Sequence, residues 1–457
     1  MIDSSNKKHF IAIIGGSISG SEAGFTLASK GYRVVVFEMN DLPYGKIEDG
    51  LPKWHVGLRD KQEHNIDQKL DHENIRYVPN VKIGKDISFE DLVKNWGFTV
   101  VILANGAWKD RELPIKNIDK FNGESLIYQN SLLHWYNHKH EHDYNGEKIE
   151  IKDGTIVIGG GLASLDVIKL GMIELVQNAL FLKKRIFVDL FEFEKKGIST
   201  VLETNNTNLK ELNLKGMSLV YRRTARDMPL KSSRDESPES IEKAKNVSEK
   251  LLQKYRDKYL FQFIPLSIPI DIIEEKDILK ALVLQKVKLK DGKINTIEGD
   301  TIIIETPMII SSIGSLPEQI DGLNYDGSWL KMKSEENYRV FGYNNVFAIG
   351  NAVTGRGNIQ ESKVHGKQMT KKIIDEHLLE NDLFEEWLEN LNTDLCKKVD
   401  GEVAGIEAFI KSQKIMPDGV IENILEKLKD LQIKVGYTTY KKWIKLKTPI
   451  RLENLQQ

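Results

Sequence analysis

Two glycine-rich stretches and the charged residues that follow them carry the chemistry legible in this sequence: Gly15-Gly16-Ser17-Ile18-Ser19-Gly20 and Gly159-Gly160-Gly161-Leu162-Ala163-Ser164. A glycine turn between a strand and a helix lets the backbone approach a pyrophosphate. The helix N-terminus then aims orphan N–H groups and the positive end of its dipole at the negative charge. In the first copy Gly15 makes the turn and Gly20 lets the helix pack against the strand. Gly16, Ser17 and Ser19 lie between them, with Ser17 where the fingerprint usually has its middle glycine. In the second copy Gly159 and Gly161 repeat the turn, Leu162 and Ala163 continue it, and Ser164 replaces the final glycine or alanine.

The residue ending the next strand decides which dinucleotide each turn prefers. Glu38 stands 18 residues after Gly20. A carboxylate there accepts hydrogen bonds from a ribose 2′-hydroxyl and repels a 2′-phosphate, so the first site suits FAD or NAD and not NADP. At the corresponding place in the second copy are Arg222 and Arg223. Guanidinium groups pair with a 2′-phosphate in charge-assisted contacts, so the second site indicates NADPH.

The surrounding pattern supplies the elements that would position these groups. Phe10 to Ile14 is an apolar run, a helical pattern continues through Leu27, and Val34 to Phe37 is a second apolar run: strand, turn, helix, strand. The rhythm recurs from Thr155 to Tyr221, although Phe181 to Gly216 makes the crossover unusually long. Within it, apolar Ile186 to Phe193 suggests an extra strand. Alternating segments lead to Ile310, with Asp291-Gly292 as a hairpin signal. After Glu380 the chain reads as helices, with Val420, Ile421, Ile424, Leu425, Leu428 and Leu431 in one apolar stripe.

Beyond these motifs, the order GGGLASLD (Gly159 to Asp166), Tyr221-Arg222-Arg223 with Met228-Pro229, and Ser311-Ser312-Ile313-Gly314 resembles the adrenodoxin reductase and glutamate synthase small-subunit flavoproteins. The resemblance runs from about residue 8 to about residue 372. It implies FAD in the first site and NADPH in the second. Leu42-Pro43-Tyr44-Gly45 followed by Gly50-Leu51-Pro52 looks like the loop that wraps the flavin. Val100 to Ala107, with Gly106, resembles the segment leading to the nicotinamide domain, with Asn105 where threonine is usual. Val346 to Ile359 resembles a late flavin-contacting segment. The resemblance places Gly350, Asn351, Gly357, Asn358 and Ile359 against the flavin, with Asn351 where many relatives carry aspartate. The acceptor stays open, because the chain matches neither group over its whole length.

Composition narrows the alternatives. The net charge of −2, with 40% hydrophobic and 29% charged residues, is an ordinary globular balance. Cys396 is the single cysteine, which excludes a CxxC pair and a cysteine-ligated cluster within this sequence. Electrons must therefore leave from the flavin to a docked partner or a small acceptor. His55, in the wrapping loop, is the candidate proton relay near the flavin. His138, His140 and His142 alternate in a polar stretch without four evident ligands, so no metal is expected. The basic tail (Lys434, Lys441, Lys442, Lys445, Lys447, Arg451) reads either as a docking face for an acidic acceptor or as a solvated helix face. No motif points to nucleic acid, and no run of about 18 apolar residues points to a membrane. A cytoplasmic protein is expected.

The expected fold is α/β: two doubly wound, Rossmann-like dinucleotide-binding domains, the NADPH domain (111–334) inserted into the FAD domain (1–110 and 335–385). A mainly helical, basic extension (386–457) follows. The expected activity is NADPH-dependent reduction of a bound FAD, with electrons passed to a ferredoxin-like protein or a partner subunit. A self-contained flavin enzyme reducing or oxygenating a small organic substrate, and a nucleotide-bound redox sensor or scaffold, are the rival readings.

Overall fold

In the computed structural model, which describes residues 4–231, 233, 235, 237–334, 338–350, 352 and 380–455, the apolar run Phe10–Ile14 is β1, buried along its whole length. Such a strand belongs inside a parallel sheet, covered on both faces. The first glycine turn leads to α1 (Ile18–Ser29), β2 (Arg33–Phe37), α2 (Lys46–Asp49), α3 (Val56–Leu70), β3 (Ile75–Val78), α4 (Phe89–Asn95) and β4 (Val100–Leu103). β5 (Lys109–Asp110) crosses to a second unit of β6 (Leu126–Tyr128), α5 (Gln129–His138), β7 (Ile156–Gly159), α6 (Leu162–Lys184), α7 (Leu190–Thr204), β8 (Ser218–Val220), α8 (Pro238–Tyr259) and β9 (Gln262–Ile264). Three antiparallel strands, β10 (Ser267–Glu275), β11 (Ile278–Lys290) and β12 (Lys293–Glu305), precede β13 (Ile309–Ser312). The return passes through β14 (Ser315–Leu316), β15 (Tyr325–Asp326), β16 (Trp329–Leu330), β17 (Met332–Ser334), β18 (Arg339–Val340) and β19 (Val346–Ala348). Helices α9 (Glu380–Ser412), α10 (Asp418–Lys434) and α11 (Tyr440–Lys447) follow.

Two sheets organise these elements. The first runs β17-β18-β19-β4-β1-β2-β3, parallel from β19 to β3. The second is parallel throughout, β6-β13-β7-β8-β9. Antiparallel pairing of β14 with β5 ties together the two segments that cross between them. Period-2 alternation sorts the first sheet's side chains: Ile11, Ile13, Val34 and Val36 face one core, while Ala12, Ile14, Val35 and Phe37 face the other. In the second sheet Val157 and Ile310 face the helices α5–α8, and Ile156, Ile158 and Ile309 face the β10–β12 sheet. At the β11–β12 hairpin Asp291 (φ 52°) and Gly292 (φ 71°) both adopt positive φ, the demand of the two-residue turn their sequence signals.

Two stretches differ from the sequence expectation. Ile186 to Phe193 forms no strand. Asp189 caps α7, its side chain accepting from Phe191 N at 2.7 Å, so the apolar residues that follow are spent on a helix face. The C-terminal helices pack into both faces of the first sheet. Val399, Val403, Ile406 and Ile410, at i, i+4, i+7 and i+11 of α9, are fully buried in the core that contains α1. Burial of this kind is worth about 1.5–3 kcal/mol per side chain. Ile421, Ile424 and Leu428 of α10 join Phe10, Val35 and Trp96 on the opposite face. Three of the six basic tail residues are paired with acids among the described residues, Arg451 with Glu48 and Glu63 being one. Lys441 pairs with Asp71 and Lys447 with Asp41, while Trp443 is buried with its indole N–H on the Asp41 carbonyl at 2.7 Å. Among the described residues no helix is long and apolar enough to cross a membrane.

Candidate functional site

The first turn is shaped by the space it denies to side chains. Gly15 has φ +101°, and a Cβ there would lie 2.6 Å from the Ala104 carbonyl oxygen; one on Gly20 would lie 1.8 Å from the Gly15 carbonyl oxygen. Only glycine lets β1, α1 and the end of β4 approach this closely. Gly16 N donates to Glu38 Oε2 at 2.9 Å, which fixes the carboxylate at the end of β2 against the turn. Burial pushes the Glu38 carboxyl up to about 7, against the opposing pull of backbone N–H groups from Gly16, Asn40 and Met39. The Ser17 hydroxyl donates to the Tyr44 carbonyl at 3.0 Å and so ties the turn to the loop before α2 instead of facing solvent. Gly45 (φ +56°) closes that loop beside Ser17. Gly350, likewise with positive φ, lies against Ser19 and donates its N–H to Glu402 Oε2 of α9 at 3.2 Å.

The second turn follows the same logic with different furniture. A Cβ on Gly160 would meet the Tyr221 ring at 2.0 Å, and one on Gly159 would meet Ser164 Oγ at 2.2 Å. Ser164, standing where the last glycine or alanine is usual, donates to the Ser312 carbonyl at 3.1 Å and pins α6 to β13. Arg222 and Arg223 leave the end of β8, their backbone held by Tyr221 N on the Ile264 carbonyl and Leu266 N on the Arg223 carbonyl. The one acid close by in sequence, Asp227, is engaged in a capping box with Thr224.

Both turns open into one cleft of about 2480 Å³. That exceeds the roughly 300–1,000 Å³ of a single small-molecule pocket and has room for two extended ligands. Of the predicted residues, Gly15, Ser17, Ser19, Glu38, Gly45, Gly106, Gly159, Gly161, Ala163, Ser164, Arg222 and Arg223 line it. Gly16, Gly20, Leu162 and Gly350 support the lining from behind. Asn351, Gly357, Asn358 and Ile359 lie outside the described residues. His55 is buried at the N-terminus of α3, and it does not line the cleft. Its Nε2 accepts from the Trp54 indole N–H at 3.0 Å and lies 3.7 Å from Asp166 Oδ1.

No family model matches the chain. A third of it, however, aligns with cindoxin reductase of Citrobacter braakii (29% identical over 163 residues, 35% of this chain and 34% of that one). A comparable third aligns with the glutamate synthase [NADPH] small chain of Mycobacterium tuberculosis (30% over 169 residues, 34% and 32%). Probable NADPH:adrenodoxin oxidoreductase of Schizosaccharomyces pombe is 29% identical over 162 residues. Among solved structures, Mycobacterium tuberculosis FprA in complex with NADPH superposes with a TM-score of 0.64 at 18% identity, over 93% of this chain and 91% of that one. The chain shares the two-domain fold of FprA, and about a third of it is similar in sequence to cindoxin reductase, the glutamate synthase small chain and an NADPH:adrenodoxin oxidoreductase. By sequence it spans about a third of the length of the curated relatives it matches.

On this fold the structure adds residues that sequence reasoning missed. Lys46 and Trp108 line the cleft where the two units meet, with Lys46 Nζ donating to Ser315 Oγ at 2.9 Å. Burial lowers the Lys46 ammonium to about 8, and burial raises the nearby Asp110 carboxyl to about 6 although Asn130 N donates to it. Opposed shifts of this kind cluster at functional sites. The available signal was the position of Lys46, directly after the wrapping-loop glycine. Leu395, Lys398 and Glu402 of α9 also line the cleft. They come from a stretch that reads in sequence only as an appended helix.

Proposed function

We propose that the chain binds FAD along the first glycine turn and NADPH along the second, and passes electrons from NADPH through the flavin to a separate acceptor, a ferredoxin-like protein or a partner subunit. The observation that carries this reading is one continuous cleft with a buried carboxylate at the end of β2 and two arginines at the end of β8. The cradle fits the cofactors, since each turn leaves bare backbone where a Cβ would collide. When bound, the pair supplies hydride transfer from nicotinamide to flavin.

The chain's own residues bind and orient. Glu38 takes the ribose hydroxyls of FAD, α1 and α6 present N–H groups to the pyrophosphates, and Arg222 and Arg223 take the 2′-phosphate. Lys46 sets a cation at the junction. His55 acts as a positioning residue, holding the loop before α3 against Asp166. Sheet membership supports a division near residues 110 and 335, with the NADPH domain inserted. The packing of α9–α11 on the first sheet supports reading them as part of the FAD domain. A protein acceptor is favoured by the relatives, among them cindoxin reductase and an NADPH:adrenodoxin oxidoreductase, and by the single cysteine. Burial pushes the Cys396 thiol up to about 12, which suits it poorly to a redox relay.

Anaerobic titration of the purified yellow protein tests the reading. One equivalent of NADPH is expected to bleach the flavin, and ferredoxin or ferricyanide to restore its colour. A preparation that takes up no flavin, or turnover coupled to oxygenation of a small substrate, would falsify it.

Glu38 makes the FAD site pH-sensitive. In the ligand-free protein its carboxyl titrates near 7, whereas donated ribose hydroxyls favour the ionised form. FAD binding therefore expels a proton below pH 7, and affinity should fall as pH drops from 8 to 5.5, by up to about tenfold per unit. The same raised value means that Glu38 contributes to apoprotein stability fully below its unfolded value of 4.5 and loses that contribution as pH rises through about 7. Flavin fluorescence quenching at three pH values reads the slope. A flat profile, or one indistinguishable from that of Glu38→Gln, would contradict it.

A further inference from the structure

His134 and His138 lie one turn apart on α5 and face the same carboxylate. Asp49 Oδ1, at the end of α2, is 2.9 Å from His138 Nε2 and 3.4 Å from His134 Nδ1. One ligand atom from each residue can be chosen so that all lie within 4.8 Å of one another. In a tetrahedral zinc site with bonds of about 2.0–2.1 Å, ligand atoms stand about 3.3 Å apart. We propose that Asp49, His134 and His138 form a divalent-cation site, best matched by zinc, that clasps the loop after the first nucleotide turn to helix α5.

The surroundings support a site built for a metal. His138 presents Nε2 to the shared point while its other nitrogen, Nδ1, is 2.8 Å from Glu141 Oε1. A carboxylate behind a ligating imidazole fixes the tautomer and the ring, as outer partners of bound metals do. The side chain of His134 is 54% exposed, which gives an ion an entry path and leaves room for water as a fourth ligand.

The His134 ring sits 4.6 Å from that of His138 on the same carboxylate, so a cation seated there would be shared by both imidazoles. The location also has mechanical meaning: Asn137 of α5 already donates to the carbonyls of Glu48 (2.9 Å) and Leu51 (2.8 Å). A metal here would fasten the same two pieces next to the cleft-lining Lys46.

Calorimetric titration of zinc chloride into EDTA-treated, dialysed, flavin-loaded full-length protein tests the site. One zinc per chain is expected, with a rise in Tm. Asp49→Asn and His134→Ala should each weaken binding at least tenfold, and Glu141→Gln by about tenfold. His134→Ala is the safest variant to interpret, because its exposed side chain can be removed without opening the core; an unchanged flavin spectrum and zinc-free Tm verify its fold. Absence of saturable binding to the wild-type protein, or binding equally tight in His134→Ala and Asp49→Asn, overturns the site and places any bound zinc elsewhere.

Discussion

Replacing Arg222 and Arg223 together with alanine is expected to raise the KM for NADPH about a hundredfold while leaving that for NADH within about threefold. A hydrogen bond to a charged group is worth about 1.5–3 kcal/mol, and two such contacts to a 2′-phosphate would exceed a hundredfold if fully desolvated. Arg222 is exposed and Arg223 half-buried, so solvent screening trims the sum. The same difference ranks the single variants, with Arg223→Ala the more damaging. NADH lacks the 2′-phosphate and should not register the loss. Lysine at both positions should restore only part of the preference, since a point charge does not reproduce the bidentate fork. Steady-state kinetics with both nucleotides, at low and high salt, provide the reading. Equal losses for NADPH and NADH would mean that the arginines merely hold the strand end, and the assignment of the second turn would fail with them.

What the sequence made legible were features that the backbone enforces locally. Gly15 and Gly20 are read correctly because no other residue survives 2.6 Å and 1.8 Å approaches to carbonyl oxygens. Asp291-Gly292 is read correctly because a two-residue hairpin demands positive φ twice. The places of Glu38 and of the arginine pair, at the ends of β2 and β8, follow from the local strand pattern alone. Features set by distant parts of the chain were not legible. The stripe on α10 is visible as a period, but nothing in it says that its target is Phe10 and Val35, some 400 residues earlier. Tyr440 and Trp443 sit among lysines in sequence, yet the eight-residue α11 turns them inward and the lysines outward. In sequence His138, His140 and His142 alternate in a polar stretch. Helix α5 instead sets His134 and His138 four apart on one face, and the Asp49 they meet arrives from a stretch 85 residues away.

The tail's deepest attachment yields the largest expected stability effect. Arg451 is buried, with one nitrogen on the Glu48 carboxylate and the other 2.8 and 2.9 Å from the two oxygens of Glu63. Glu48 belongs to α2, which lines the cleft at Lys46 and Ile47, and Glu63 belongs to α3. One cation thus holds the C-terminus, the wrapping loop and a core helix together. Burial, assisted by the neighbouring Glu48, raises the Glu63 carboxyl above its ordinary value against the pull of Arg451, whereas Arg451 overcomes burial at Glu48 and holds that carboxyl below its ordinary value and charged. Arg451→Met removes the cation and strands that charge away from water. Breaking a buried pair in this way costs about 3–5 kcal/mol, a fall in Tm on the order of 10 °C, and it should weaken FAD retention because α2 is released. The cost comes from the orphaned carboxylates more than from the lost attraction. Adding Glu48→Gln and Glu63→Gln to Arg451→Met should therefore recover a substantial part of the Tm. Lys441→Ala, which removes only an exposed partner of Asp71, should leave Tm where it was. Thermal melts of the four proteins, with flavin release followed by fluorescence, separate these outcomes. If Arg451→Met melted with the wild type, the C-terminal helices would be held by their apolar faces alone.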